Sequence, residues 1–349
     1  MSAPPQRAAR DEPSYDRILL VRTDRVGDLV LSTPAIASFR RSWPRARIEA
    51  LVNDYNEPVV RHNPDLDRVH VLARSADRAA RLRAARELGA GLDLAVALAP
   101  RTPDLQLCGW TRARRRIGYV YRRRLLSRLT ARLFLTDVGI SDADPTLADR
   151  YPERPVAHEV HQVQALVAIA GGQRFSDDLV LRFSDEDAAF AASAVPRGAV
   201  ALNLAPRWFA DDFGCGATAR LIARLAAEHR DAVVMYGNQV RQDAARLRDA
   251  VRAPNVTWLT DMPLLHWAAA LSRCSVVIVV DSGTTHVAAA LGVPVVALYE
   301  RRWYNLTSRE WAPWRVPHAM FRKPPVGADP GTLIDDLASA ALALGRQST

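Results

Sequence analysis

Five consecutive β-branched residues, Val276-Val277-Ile278-Val279-Val280, stop abruptly at Asp281-Ser282-Gly283-Thr284-Thr285-His286. No other feature of the chain restricts its fold as much. A run without a polar alternate face makes a strand that must be covered on both sides, the condition of an inner strand in a parallel sheet with helices on either face. Comparable runs recur at Arg17–Val21, Ile48–Val52, Arg68–Leu72 and Leu92–Leu98, and again at Ala199–Leu204, Ala232–Tyr236, Val256–Leu259 and Val295–Tyr299. Helical patterns separate them: Asp28–Arg41, Glu57–His62, Arg74–Leu88 and Val160–Ala170 in the first series, then Ala217–His229, Gln239–Val251, Pro263–Ser272 and Thr284–Leu291. Strands and helices alternating twice over predict an α/β chain of two doubly wound, Rossmann-like domains facing a central cleft.

The 349 residues suffice for two such cores. The expected division is a disordered lead-in at 1–13, a first domain at 14–183, a linker at 184–197, a second domain at 198–330, and a last segment at 331–349 holding an amphipathic helix, Gly331–Leu344. Gly292 and Pro294 interrupt the longest apolar stretch, so no segment spans a membrane.

Thr111–Thr130 breaks the alternation with Arg112, Arg114, Arg115, Arg116, Arg122, Arg123, Arg124 and Arg128, between which stand Tyr119 and Tyr121; Asp137–Pro155 reads as a loop. The chain carries a formal charge of +9, and all but one of its 47 lysines and arginines are arginine, Lys323 being the exception. Codon bias explains arginine in place of lysine but not the excess of cations. The stretch is either a solvated basic face or a surface for a phosphorylated acceptor glycolipid or the anionic inner leaflet. No RRM, KH or helix-turn-helix pattern accompanies it, so no nucleic acid partner is expected. Cys108, Cys215 and Cys274 are far apart and form no CxxC, which gives neither a disulfide framework nor a zinc site. Together with a polar N-terminus lacking an apolar h-region, this points to the cytoplasm. His158 and His161 lack further ligands, and no metal is expected.

Ligands of doubly wound sheets bind beyond the carboxyl ends of the strands. Two such loops stand out. In Arg22-Thr23-Asp24-Arg25-Val26-Gly27-Asp28, Gly27 permits a tight turn or close ligand approach, and Asp28 either caps the next helix or serves as a general base. In Asp281–His286, backbone N–H groups and small hydroxyls at a helix start make either a capping arrangement or an anion site suited to a diphosphate. Neither GxGxxG nor a P-loop occurs.

These two segments, Asp24–Asp28 with Ser32-Thr33-Pro34 downstream and Asp281–His286 continuing through Val287-Ala288-Ala289-Ala290-Leu291-Gly292-Val293-Pro294, resemble the two signatures of the bacterial heptosyltransferase family, glycosyltransferase family 9. Weaker echoes lie at Arg116-Ile117-Gly118-Tyr119 and His158-Glu159-Val160, and the likeness runs from Ile18 to about Pro317. The resemblance implies a GT-B fold with the acceptor on the N-terminal domain, the nucleotide sugar on the C-terminal domain, and a last helix crossing back. It also implies inverting transfer without metal or cofactor, typically of heptose from ADP-heptose to the lipopolysaccharide core.

Carried over by position, Asp28 is the base, and Asp281, Ser282, Gly283, Thr284, Thr285 and His286 form the donor loop. Arg207 stands where the family usually has a phosphate-binding lysine, and Asn238 and Gln239 where it commonly has an acid for the ribose. Arg25, Gly27, Arg116, Tyr119, Arg122 and Arg123 are placed on the acceptor side. Two alternatives stay open: the same fold with another nucleotide sugar or a non-lipopolysaccharide acceptor, and a non-catalytic nucleotide-sugar or anionic-lipid binding module. An epimerase is disfavoured by the lack of acid/base clusters.

Overall fold

The computed structural model describes residues 13–141, 156–210, 213–228 and 231–347. Its first half contains β1 (Arg17–Val21), α1 (Val26–Ser42), β2 (Arg47–Asn53), β3 (Arg68–Leu72), α2 (Arg78–Leu88), β4 (Leu94–Ala97), α3 (Thr102–Thr111), β5 (Arg115–Tyr121), α4 (Leu125–Ala131), β6 (Asp137–Ser141) and α5 (Glu159–Ala170). The second half contains α6 (Asp185–Ala194), β7 (Val200–Leu204), α7 (Gly214–Ala227), β8 (Ala232–Tyr236), α8 (Arg241–Ala250), β9 (Val256–Thr260) and α9 (Leu264–Ser272). It ends with β10 (Val276–Val280), α10 (Gly283–Ala290), β11 (Val295–Tyr299), α11 (Tyr304–Glu310), β12 (His318–Arg322) and α12 (Gly331–Gln347).

Each half builds one six-stranded parallel sheet, ordered β3-β2-β1-β4-β5-β6 and β12-β11-β10-β7-β8-β9. Counted from its own first strand, each follows the order 3-2-1-4-5-6, with the switch point beside β1 in one and β7 in the other. As its sequence requires, β10 is buried along its whole length. One apolar cluster runs across the seam between the halves, from Val26 and Leu29 of α1 to Val287 and Ala288 of α10.

Several expectations need correction. The arginine-dense stretch does not interrupt the first sheet; it holds β5 and α4, and with β6 it completes that sheet. The expected loop therefore begins with a strand, while 142–155 and the lead-in up to residue 12 lie outside the described residues. The supposed linker contains α6, started by a capping box in which Ser184 and Asp187 satisfy each other's backbone N–H. Glu57–His62 contracts to one 3-10 turn, Glu57–Val59. The last helix packs on α7 and on β10, β11 and β12 of its own half. Residues 310–315, ahead of that helix, do reach the first half: Gln162 Nε2 donates to Glu310 at 2.9 Å, Trp314 Nε1 donates to the Asp177 carbonyl at 2.7 Å, and Arg315 pairs with Asp178 at 2.9 Å.

The Ser32-Thr33-Pro34 sequence has a local explanation. Pro34 lies inside α1 and cannot donate to the Val30 carbonyl, and Thr33 Oγ1 donates to that carbonyl at 2.8 Å instead. The same hydroxyl accepts from Val180 N at 2.9 Å.

Candidate active site

Two helix N-termini meet at the seam, those of α1 and α10, and both follow an inner strand of their sheet. Their meeting depends on two glycines. A Cβ on Gly27 would lie 2.7 Å from His286 Cδ2 and 2.8 Å from Gly283 Cα, and one on Gly283 would lie 3.2 Å from Gly27 N. Gly27 therefore gives close approach to the opposite half of the protein. The contact brings Asp28 to the mouth of the donor loop. Asp28 is the third residue of α1, whose cap is Arg25, and so it is not the capping residue.

Arg22, at the end of β1, organises the carboxylates around Asp28. Its guanidinium is buried and reaches Asp24 at 3.0 Å, Glu159 at 2.9 Å and Asp28 at 3.6 Å. It also donates to Ser32 Oγ at 2.9 Å and to the Leu98 carbonyl at 2.7 Å. Burial opposes its charge, but Asp24, Glu159 and Asp28 together outweigh that and hold it protonated. Tyr119 donates its hydroxyl to Glu159 at 3.0 Å. One cation thus serves three carboxylates, and Asp28 is the one it serves least. Burial, then the charge of Asp24, push the Asp28 carboxyl up to about 7 against the pull of Arg22. It keeps 20% of its side chain open to the cleft. A partly open carboxyl titrating near neutrality can take a proton from a hydroxyl.

Behind this cluster, buried Asp104 accepts from Thr23 N at 2.7 Å and Thr23 Oγ1 at 2.9 Å, which fixes the loop before α1. Burial and the charge of Asp24 raise its carboxyl to about 6.

Three adjoining cavities run along the cleft. The first, of about 500 Å³, lies in the N-terminal half around Asp24, Asp28 and Glu159 and is ringed by Arg25, Arg74, Arg81, Arg101 and Arg124. The smallest, of about 330 Å³, is bounded by Arg25, Asp28, Arg207, Ser282, His286 and Trp311. A third, of about 820 Å³, lies beyond the ends of β7, β8, β9 and β10, between Asn203, Tyr236, Asp261, Trp267 and Ser282, with Tyr55 and Pro58 closing it from the first half. Asp28 lines the first two, and Ser282 and Gly283 line the last two. Such volumes suit small-molecule sites.

At the start of α10, Ser282 Oγ, Thr285 Oγ1 and His286 Nδ1 are buried without a hydrogen-bond partner. The first N–H groups of a helix have no intrahelical acceptor. An anion seated there would satisfy both sets. Thr284 is already engaged, accepting from Asn203 Nδ2 at 2.8 Å. His286 cannot supply charge, because burial lowers it to about 3.

Arg207 is held by Asp281, bonding its carboxylate and its carbonyl, each at 2.6 Å. Burial raises the Asp281 carboxyl while Arg207 opposes the rise. Lys323 is buried under the Arg207 loop: it pairs with Glu300 at 2.8 Å and donates to the Arg207 carbonyl and, at 3.0 Å, to that of Ala210.

The remaining expected residues divide. Gln239 lines the large cavity. Asn238 accepts from Arg241 at 3.0 Å, and Arg241 also pairs with Asp261. Asp261, absent from the sequence-based set, is one of three acids lining that cavity, with Asp54 and Asp281. Arg116 sits near the opposite end of β5, donating to the carbonyls of Phe134 at 2.8 Å and Ala113 at 2.6 Å, and is no part of the cleft. Arg122 and Arg123 follow β5 at the correct end but do not line these three cavities, whereas Arg124 lines the first. The cleft's cations come from other loops. Among the described residues no group of three or more His, Cys, Asp or Glu side chains is placed to hold a metal, and no helix is long and apolar enough to cross a membrane.

Residues 157–323 match the model of glycosyltransferase family 9 (heptosyltransferase). That match covers just under half of the chain. No curated protein sequence matches it significantly. Among solved structures, the family 9 glycosyl transferase of Veillonella parvula is similar over 97% of this chain and 99% of that one, with a TM-score of 0.79 and 19% identity. E. coli ADP-heptose lps heptosyltransferase II covers 94% and 99% at TM-score 0.71 and 17% identity. E. coli heptosyltransferase WaaC with ADP covers 93% and 99% at 0.69 and 18%. The fold is GT-B, and the likeness to these structures takes in the first half, outside the matched residues.

Proposed function

We propose that this glycosyltransferase moves heptose from ADP-heptose to a phosphorylated glycan or glycolipid of the lipopolysaccharide-core type, with inversion and without metal or cofactor, at the cytoplasmic face of the membrane. The observation that carries the reading is the position of Asp28, an open carboxyl raised to about 7 where the arginine-ringed cavity meets the start of α10.

In this reading the nucleoside occupies the large cavity, with Asp261 and Gln239 toward the ribose. The diphosphate lies on the α10 N-terminus among Ser282, Thr285, Arg25 and Arg207. The acceptor occupies the first cavity, where five arginines suit phosphate or carboxylate groups. Asp28 takes the proton of the acceptor hydroxyl as its oxygen attacks the anomeric carbon. The bond to the diphosphate breaks on the opposite face, and the leaving charge is met by helix N–H groups, hydroxyls and guanidiniums already in place. Asp24 and Glu159 are held by Arg22 and Asp281 by Arg207, which leaves Asp28 as the base, and a single displacement inverts the anomeric carbon. The ADP and ADP-2-deoxy-2-fluoro heptose in the E. coli WaaC structures support an adenine nucleotide.

A thermal-shift screen of ADP-, GDP-, UDP- and TDP-sugars tests the donor, since a ligand of the native state raises its stability by mass action. ADP compounds should raise the melting temperature. A response to another nucleotide with none to ADP would overturn the donor assignment.

A further inference from the structure

We infer that α4 and the turn after it form a docking element for an anionic lipid bilayer, beside the mouth of the acceptor cavity. The inference rests on the glycolipid-acceptor reading for its purpose, but its evidence is separate. Leu125, Leu126, Leu129 and Leu133 are each between 65% and 80% exposed, four large apolar side chains within nine residues of a protein whose other leucines are mostly interior. Leu126 and Leu129, three apart, share one side of α4, and Leu133 follows in the turn after it.

Charge identifies what covers them. Arg122, Arg123, Arg124, Arg128 and Arg132 surround the leucines, and no acidic residue occurs from Arg122 to Thr136. A second copy seated on the patch about a two-fold axis would set these arginines against themselves. A bilayer with anionic headgroups offers the complement: apolar depth for the leucines and phosphates at the height where arginine side chains keep their heads. Position agrees. Tyr121 and Arg124, which immediately precede α4, line the arginine-ringed cavity, with the Arg124 guanidinium 5.1 Å from the Tyr121 ring centroid. A protein resting on α4 would hold that cavity at the headgroup layer, where the sugar of a membrane-anchored acceptor lies.

The test is co-sedimentation of the full chain with phosphatidylcholine vesicles, with and without phosphatidylglycerol. Wild-type protein should bind the anionic vesicles at least about tenfold more tightly, less so as salt rises. The triple variant Leu126→Gln, Leu129→Gln, Leu133→Gln should lose about tenfold in binding with a nearly unchanged melting temperature, because these side chains are mostly exposed. Arg123→Gln with Arg128→Gln and Arg132→Gln should lose the preference for anionic vesicles, and Val326→Gln, an exposed apolar site elsewhere, should change nothing. Undiminished binding by the leucine variant would overturn the inference. So would a dimer of wild-type chain that this variant dissolves, or the absence of binding to anionic vesicles. The vesicles contain neither nucleotide nor glycan, so failure here leaves the donor screen standing, and failure of that screen leaves vesicle binding standing.

Discussion

Replacing Asp28 with Asn should abolish transfer and at the same time stabilise the protein, increasingly so at higher pH. The carboxyl titrates at about 7 in the native state against 3.8 for an unperturbed aspartate. A raised carboxyl makes its contribution fully below the unfolded value and loses it as pH rises through the native one. Over that interval the native chain holds the extra proton, so stability falls by about 1.4 kcal/mol per pH unit, or about 4 kcal/mol in all. Asparagine has nearly the same shape and no charge to bury. Between about pH 5 and pH 8 its advantage over wild type should grow by about 3 kcal/mol, or on the order of 5 °C in melting temperature for a chain of this size. Calorimetric melting of both proteins at the two pH values measures it. A pH-independent difference, or an Asn variant less stable than wild type at pH 8, would refute the reasoning: Arg22, 3.6 Å away, would then be holding Asp28 ionised as a structural ion pair.

Two further perturbations probe the seam and the donor loop. Gly27→Ala places a methyl 2.8 Å from the Gly283 backbone, whereas Gly283→Ala meets Gly27 N at 3.2 Å, so the first should cost roughly 1–3 kcal/mol and about a hundredfold in kcat and the second much less; melting and steady-state kinetics of the pair check the order. Lys323→Met leaves Glu300 without its buried cation and the Arg207 loop without its tether, so stability should drop by about 3 kcal/mol and the KM for the donor should rise more than kcat falls, which a donor titration separates.

The inner strands were legible because burial on both faces forces unbroken apolar sequence, as in β1 and β10. Of the strands nearer the margins, β3 and β9 were legible, whereas β5, β6 and β12 were not. β5 opens with Arg115 and Arg116, which bond at the sheet's margin, and β12 is exposed at both ends, so neither shows a clean run of period two or of continuous burial. α6 was announced by Ser184 and Asp187, a capping signature that a presumed linker concealed. In the site, Asp28 and Ser282 could be found because each sits in a local pattern. Arg22 and Glu159 could not be paired, being 137 positions apart and joined only by the order of strands in the sheet. Asp104 and Asp261 are lone acids whose meaning comes from what the fold sets beside them. The basic stretch is a conspicuous local pattern that the fold divides: Arg124 lines the first cavity, Arg116 bonds near the far end of β5, and Arg122 and Arg123 lie outside the three cavities.

The most direct test of the account is ADP release from ADP-heptose in the presence of a phosphorylated inner-core glycolipid, followed from about pH 5.5 to 8.5 with wild-type and Asp28→Asn protein. The account predicts release that requires the acceptor, rises with pH to a plateau above the Asp28 value of about 7, and falls by about 100- to 10,000-fold in the variant. Release that does not depend on the acceptor, or a variant matching wild type across the range, would contradict it.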